Sequence, residues 1–340
     1  MGTIVLAILI FGFIVFSHEV GHYMAARWAG ITIVEFAIGM GPVIFSWTDK
    51  REIQYSLRLF PIGGFLAMEG EDEESSDPNS YGKASTFKRG VVIGAGAFVN
   101  LLCGYLALLL LANMSYVGTT AVLRFDSDAQ ISNQVLQEED QIYRVNGVRT
   151  YVASDVSWQL FRSYDGVVKF TVMRDGRLVE LPSVTFPLED VGDGIMAIDI
   201  DFSLLGTRIG VGESFGYSYR WALSLMKQVW GSVVEIATGN IPLSQLSGPV
   251  GVASAIGHAS RVSWSSVAQM SAFIMINIGL VNLLPLPMLD GGKLVLIFIE
   301  GITGFKLSER VENGINLVGF ACLMLLMVYV TFNDILRFIK

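Results

Sequence analysis

Apolar and polar positions divide this chain into long unbroken apolar runs and shorter patterned stretches. Thr3 to Ser17 is almost wholly apolar, and beyond His18 and Glu19 the run resumes to Ala26. Further runs cover about Val91 to Ala112, Val267 to Leu289 and Ile315 to Phe332. Each approaches the ~20 residues that cross ~30 Å of hydrocarbon, so a membrane α-helical fold with four transmembrane helices is predicted. The first run has no early Lys or Arg and passes straight into charged residues, so it reads as a retained span rather than a cleaved signal peptide.

The intervals differ in kind. Between the first two spans, Glu52 to Leu59 alternates polar and apolar residues before Phe60-Pro61-Ile62-Gly63-Gly64, which predicts extended structure. Glu69 to Ser80 is acidic and lacks apolar periodicity, so it reads as a solvated loop. Ser115 to Ser214 has an ordinary soluble composition. Strand-like runs at Ala121–Phe125, Gln141–Val145 and Val167–Met173 alternate with Asn146-Gly147 and Asp175-Gly176, dipeptides suited to hairpin turns. With helical spacing over Ala153 to Ser163, this predicts a small, mainly β domain. Glu213 to Ala237 carries Phe215, Tyr219, Ala222, Met226, Val229, Trp230 and Val233 at steps of three and four residues, the mark of an amphipathic helix. It either lies along the membrane interface or packs on the β domain.

The predicted organisation is a first span (1–26), a loop with strands (27–90), a second span (91–112) and a β domain (113–212). An amphipathic helix and linker (213–262), a third span (263–292), a loop (293–314) and a fourth span with tail (315–340) follow. Arg27, Lys88, Arg89, Lys293, Lys306 and Arg310 flank the spans on one side; Arg124, Arg261, Arg337 and Lys340 flank them on the other. That bias predicts a cytoplasmic first loop, with the β domain and both termini outside.

Composition sharpens the membrane reading: 52% of the 340 residues are hydrophobic and 16% charged, against about 25% charged in soluble domains. A formal net charge of −8 leaves no basic footprint for nucleic acid. Cys103 and Cys322 both sit in apolar runs, which gives no disulfide framework.

The candidate chemistry lies inside the membrane. His18-Glu19-Val20-Gly21-His22 is H-E-x-x-H. On a helix the two imidazoles share one face and reach one metal, and Zn²⁺ suits nitrogen donors while leaving a position for water. Glu19 is then placed to take a proton from that water. Ionisable side chains within a span are expensive, and three within five residues make little sense without a metal. For a third ligand, His258 reads as an interfacial or packing histidine. Asp290 is the better candidate, because Pro285, Pro287, Gly291 and Gly292 break the helix around it. An Asp capping the following helix is the plainer alternative. Asn282, in the same span, reads equally as an amide for a substrate carbonyl or as an interhelical contact.

Together these residues resemble the site-2 protease family of zinc intramembrane metalloproteases, within it the bacterial branch of RseP-type sigma-factor-pathway proteases. The likeness rests on His18-Glu-Val-Gly-His22 and Asn282-Leu-Leu-Pro-Leu-Pro-Met-Leu-Asp290-Gly-Gly. Pro61-Ile-Gly-Gly-Phe, Ala95-Gly-Ala-Phe-Val-Asn100 and Leu246-Ser-Gly-Pro-Val-Gly251 reinforce it. Leu136 to Gly147 looks like part of a single PDZ domain. The resemblance implies that the spans enclose one Zn²⁺ held by His18, His22 and Asp290, with Glu19 as catalytic acid/base and Asn282 at the substrate. It implies that strands near Gln54 to Phe65, including Tyr55, Gly63 and Gly64, receive an unwound substrate as an added strand. The implied partners are single-pass membrane proteins such as anti-sigma factors or signal-peptide remnants, trimmed beforehand by another protease, at the bacterial cytoplasmic membrane. Ala97 and Lys293 depart from the family's common Pro and His, but neither is a proposed ligand. The alternatives are a non-catalytic membrane scaffold retaining a metal site and a metal transporter. Glu19, which a structural zinc site does not need, argues against the first. The concentration of ionisable groups at one depth argues against the second.

Overall fold

The computed structural model describes residues 2–71, 75–127, 129–190, 196–304 and 309–339. Lys306 and Lys340, two of the flanking cations, lie outside the described residues. In chain order the elements begin with helix α1 (Gly2–Ala29), strands β1 (Ile33–Thr48) and β2 (Gln54–Met68), and α2 (Thr86–Met114). Next come β3 (Val117–Phe125), β4 (Gln141–Val145), β5 (Val148–Arg149), α3 (Ala153–Phe161), β6 (Val167–Arg174) and β7 (Arg177–Thr185). β8 (Leu188–Asp190), β9 (Met196–Ile198) and β10 (Phe202–Thr207) precede α4 (Val211–Ala237), α5 (Pro249–Val262), α6 (Trp264–Asn282), α7 (Asp290–Thr303) and α8 (Glu309–Ile339). Two compact units result: Met1–Ala107 with Ser232–Lys340, and Leu108–Gly231.

Among the described residues, four helical stretches are long and apolar enough to cross a membrane: Gly2–Ala29, Thr86–Met114, Trp264–Asn282 and Gly314–Arg337. The third differs from the predicted run to Leu289. Its helix stops at Asn282, because Pro285 and Pro287 lack the N–H groups a continuing helix needs. Met288 then takes a left-handed conformation (φ 72°), and a new helix begins at Asp290. Two more corrections concern stretches predicted as linker and loop. Pro249–Val262 and Asp290–Thr303 are helices of 14 residues each, too short to read as spans. In the first unit, α5 packs on α1 and α6 through Ala7, Ile14, Ile256, Ile274 and Met275. Asp334 of α8 is buried and accepts the Gly251 N–H at 2.7 Å, closing the N-terminus of α5.

The first loop builds a sheet from two long, bent strands. Asp49 Oδ1 accepts the N–H groups of Arg51 (2.8 Å) and Ile53 (3.0 Å), an Asx-type closure of the hairpin. Glycines with φ near +85° bend the strands at Gly39, Gly41 and Gly63. The bends make four segments: residues 54–58 pair with 43–48 on one side, 54–57 also with 35–38, and 33–38 in turn with 64–68. Residues 43–48 and 64–68 therefore form the outer edges among the described residues. This sheet, the end of α1 and the start of α2 share a core of Ala26, Ile33, Ile53, Met68, Tyr81 and Val92.

In the second unit the strand order is β10-β3-β4-β6-β7, with β5 paired to β4, and every pairing is antiparallel. Asn146-Gly147 and Asp175-Gly176 make the predicted turns with all four φ angles positive. Phe170, Phe186, Leu136, Ile142 and Val145 fill the core with Val156 and Leu160 of α3. Asp140, with its side chain 1% exposed, accepts Arg174 Nε (2.8 Å), Arg174 Nη2 (2.7 Å) and the Gln137 N–H (2.8 Å). Substituting Arg174→Met leaves that carboxylate without its cation, which costs about 3 kcal/mol. Hydrogen exchange on the full chain is expected to show a loss of protection of about a hundredfold in β4 and β6.

The amphipathic helix α4 forms over the predicted stretch and divides its pattern between two sides, with Ala222 and Val229 buried. Ser214, Ser218 and Ser224 are buried, whereas Phe215, Tyr219 and Trp230 are exposed. The serine side packs on α3: Ser224 Oγ lies 3.1 Å from Ser154 Oγ, and Gly231 sits against the Trp158 ring. The aromatic rings of Phe215, Tyr219 and Trp230 are left for an apolar or interfacial surrounding.

Candidate active site

Helical periodicity alone puts His18 and His22 on one face of α1, one turn apart. Packing against α2 does the rest. At Gly21 a Cβ would lie 2.9 Å from Gly96 Cα and nearer still to the Ala95 carbonyl, so only glycine allows the two backbones to come this close. That approach brings His22 Nδ1 to 2.8 Å from the Val92 carbonyl oxygen. A carbonyl only accepts, so Nδ1 carries the proton and Nε2 presents a bare lone pair.

Three donor atoms then converge. His22 Nε2 and His18 Nε2 are 3.1 Å apart, and Asp290 Oδ2 lies 3.2 Å from His18 Nε2 and 3.5 Å from His22 Nε2. Asp290 Oδ2 is buried, and among the described residues no donor lies against it besides the imidazoles. Ligands about 2.05 Å from a tetrahedral Zn²⁺ lie about 3.3 Å from one another. The observed separations fit that spacing, and clustered lone pairs need a cation between them. The ligand atoms of His18, His22 and Asp290 form a potential metal-holding group within 4.8 Å. A Cβ at Gly96 would overlap His22 Nε2 and approach His18 Cε1 to 2.8 Å, so this glycine keeps the face of the cluster open.

Asp290 is the first residue of α7, not the end of the third span, and the positive end of the helix dipole favours its carboxylate there. The loop before it folds tightly. Cβ atoms at Gly291 and Gly292 would overlap the carbonyls of Leu284 and Leu286. Leu286 N donates to Leu284 O (2.7 Å) and Leu289 N to Leu286 O (3.2 Å), which satisfies backbone freed by the prolines. Lys293 holds Glu71 at 2.8 Å one turn further on.

Glu19 points to the sheet: its Cγ lies 3.2 Å from where a side chain at Gly64 would begin, beside Val15. Gly64 pairs only with Ile38 and so belongs to the outer segment. Gly63, at its bend, is packed by the Met40 side chain. Gln54 and Tyr55 are placed differently from their predicted role. Gln54 pairs with both Thr48 and Glu35, and Tyr55 with both Trp47 and Phe36, so neither backbone is free to add a strand. Tyr55 instead stacks on Trp47 (5.1 Å) and bonds Tyr23 OH (2.9 Å). Asn282 is the half-buried last residue of α6. His258 is exposed on α5, outside the donor cluster. Sequence reading did not single out Gly96, Ser17 or Asn100 as parts of the centre. The small residues recurring along Gly94-Ala-Gly-Ala97 were the available signal.

Apolar spans, a helix-borne imidazole pair and a carboxylate at a helix break define a membrane-embedded metal-dependent hydrolase. Residues 6–326 match Peptidase family M50, and the chain belongs to that family of site-2 proteases; it is a zinc metalloprotease. It is similar to the regulator of sigma-W protease RasP of Bacillus subtilis, 27% identical over an alignment of 420 residues covering 99% of each chain. Zinc metalloprotease RasP of Bacillus licheniformis is 28% identical with the same coverage. A Fusobacterium nucleatum protein provisionally named a zinc metalloprotease is 28% identical over 338 residues, 98% of each chain.

Proposed function

We propose that this zinc intramembrane protease hydrolyses a peptide bond within or beside the transmembrane segment of single-pass membrane proteins. His18, His22 and Asp290 hold the metal, and Glu19 is the catalytic acid/base. The observation that carries this reading is the convergence of the three donors, with Glu19 directly after His18 on the same helix and its side chain against the outer sheet segment at Gly64.

Bound Zn²⁺ supplies Lewis acidity toward water and the scissile carbonyl. Glu19 accepts a proton as water oxygen bonds to the carbonyl carbon, then delivers it to the departing amide nitrogen as the C–N bond breaks. A helical peptide bond is shielded and its carbonyl already bonded, so the substrate must unwind first. Residues 64–68 offer an outer ladder to pair the freed backbone. Asn282 supplies amide N–H groups to a substrate carbonyl near the break. The four spans surround this centre, with the first loop cytoplasmic and the second unit, a PDZ-like domain, outside the bacterial cytoplasmic membrane. There it limits access to substrates already trimmed. The name of the Bacillus subtilis relative, a regulator of sigma-W protease, directs attention to anti-sigma factors as substrates.

The test is cleavage of a reconstituted single-pass protein with the new termini mapped by mass spectrometry. Cleavage within or at the end of the transmembrane segment is expected from the wild type. Asp290→Ala is expected to lose zinc and reduce cleavage at least a hundredfold. Cuts confined to soluble loops, or full zinc occupancy in Asp290→Ala, would contradict the reading.

A further inference from the structure

The side chain–side chain hydrogen bond that joins α1 to α2 among the described residues is made by the residue directly before His18 and is not part of the donor set. Asn100 is fully buried on α2, one turn beyond Gly96, and Ser17, which immediately precedes His18, is 6% exposed. Ser17 Oγ lies 2.7 Å from Asn100 Oδ1 and 2.9 Å from the Ile14 carbonyl. One hydroxyl proton cannot serve two acceptors, and Asn100 Nδ2 is buried without a partner among the described residues. Turning the amide by 180° resolves the conflict: an Asn100 N–H donates to Ser17 Oγ, and Ser17 donates to Ile14 O.

Two kinds of contact run along this seam: the close approach of Gly21 to Ala95 and Gly96, and buried polar pairs, among them His22 Nδ1 with the Val92 carbonyl and Ser17 with Asn100. The first of these polar pairs uses a ligating ring itself; the Ser17–Asn100 pair lies outside the donor set, one residue before His18. A slide of one residue, about 1.5 Å, strands both of its groups without water. The same slide would carry His18 and His22 out of a ligand geometry tolerant to about 0.2 Å. We propose that Asn100 is a positioning residue of the zinc centre: through Ser17 it fixes the register of α1 on α2 and so delivers both imidazoles to Asp290. This rests on the ligand set proposed above.

The test uses the full chain in detergent, with Asn100→Ala, Ser17→Ala, the exchanged pair Ser17→Asn/Asn100→Ser, and His18→Ala as reference. Three quantities are measured: zinc retained against graded chelator, the visible absorption of the Co²⁺-substituted protein, and thermal unfolding without metal. Asn100→Ala and Ser17→Ala are expected to release zinc at about tenfold lower chelator and to weaken the tetrahedral Co²⁺ bands. The exchanged pair is expected to recover both. Ser17→Ala removes a single oxygen and decides the matter if Asn100→Ala does not fold. Wild-type chelator midpoints and Co²⁺ spectra in the single variants, with only the unfolding temperature lowered, would reduce Asn100 to a packing residue and overturn the proposal. Undiminished zinc in His18→Ala would instead overturn the ligand set beneath it.

Discussion

Replacing Glu19 with glutamine is expected to leave one zinc per chain and slow cleavage by about 10²–10⁴-fold. Glutamine has nearly the same shape, so it keeps the packing of Glu19 against Gly64 and Val15 and can still hydrogen-bond a water. It cannot take up the proton that water must lose, nor return one to the leaving nitrogen. Glu19 is absent from the converging donor set, so metal retention should not change. Zinc content by atomic absorption and cleavage of a reconstituted substrate measure the two halves separately. Undiminished cleavage would remove Glu19 from the chemistry, and lost zinc would give it a ligand's role.

Gly96→Ala is expected to separate stability from metal binding. Alanine is the better helix former by about 1 kcal/mol, which offsets part of the strain its Cβ introduces, so the unfolding temperature of the metal-free protein should change less than zinc affinity does. Its Cβ, however, would overlap His22 Nε2 and press on His18 Cε1. His22 cannot swing aside without breaking its 2.8 Å bond to the Val92 carbonyl, and His18 is confined by Asp290. Zinc affinity should fall about 10–100-fold, with cleavage falling in step. Chelator titration beside thermal unfolding of the metal-free protein reads both effects. Wild-type zinc retention would show that the imidazoles can yield, and with it that the centre is less tightly built.

What could be read from the sequence follows the range of each signal. His18 and His22 are legible because one turn of helix fixes their relation, and Asp290 because prolines and glycines mark a break whatever surrounds it. Gly96, Ser17 and Asn100 matter only once α1 lies against α2; the small residues Gly94-Ala-Gly-Ala97 allow a close approach but do not say which helix makes it. Gln54 and Tyr55 lie on a stretch rightly read as extended, yet its position within the sheet depends on glycine bends that fold β1 and β2 back on themselves. The length rule for spans passed over α5 and α7, both of 14 residues. For α4 the spacing gave the amphipathic pattern but not which side packs: Ser214, Ser218 and Ser224 are buried with Ala222 and Val229, while Phe215, Tyr219 and Trp230 are exposed.

The most direct measurement is zinc K-edge X-ray absorption on the purified protein, wild type beside His22→Ala. One zinc per chain with a first shell of imidazole nitrogen and carboxylate oxygen at about 2.0–2.1 Å, lost in His22→Ala, is the expected result. Sulfur scattering at about 2.3 Å, which would bring in Cys103 or Cys322, or a first shell unchanged in His22→Ala, would contradict it.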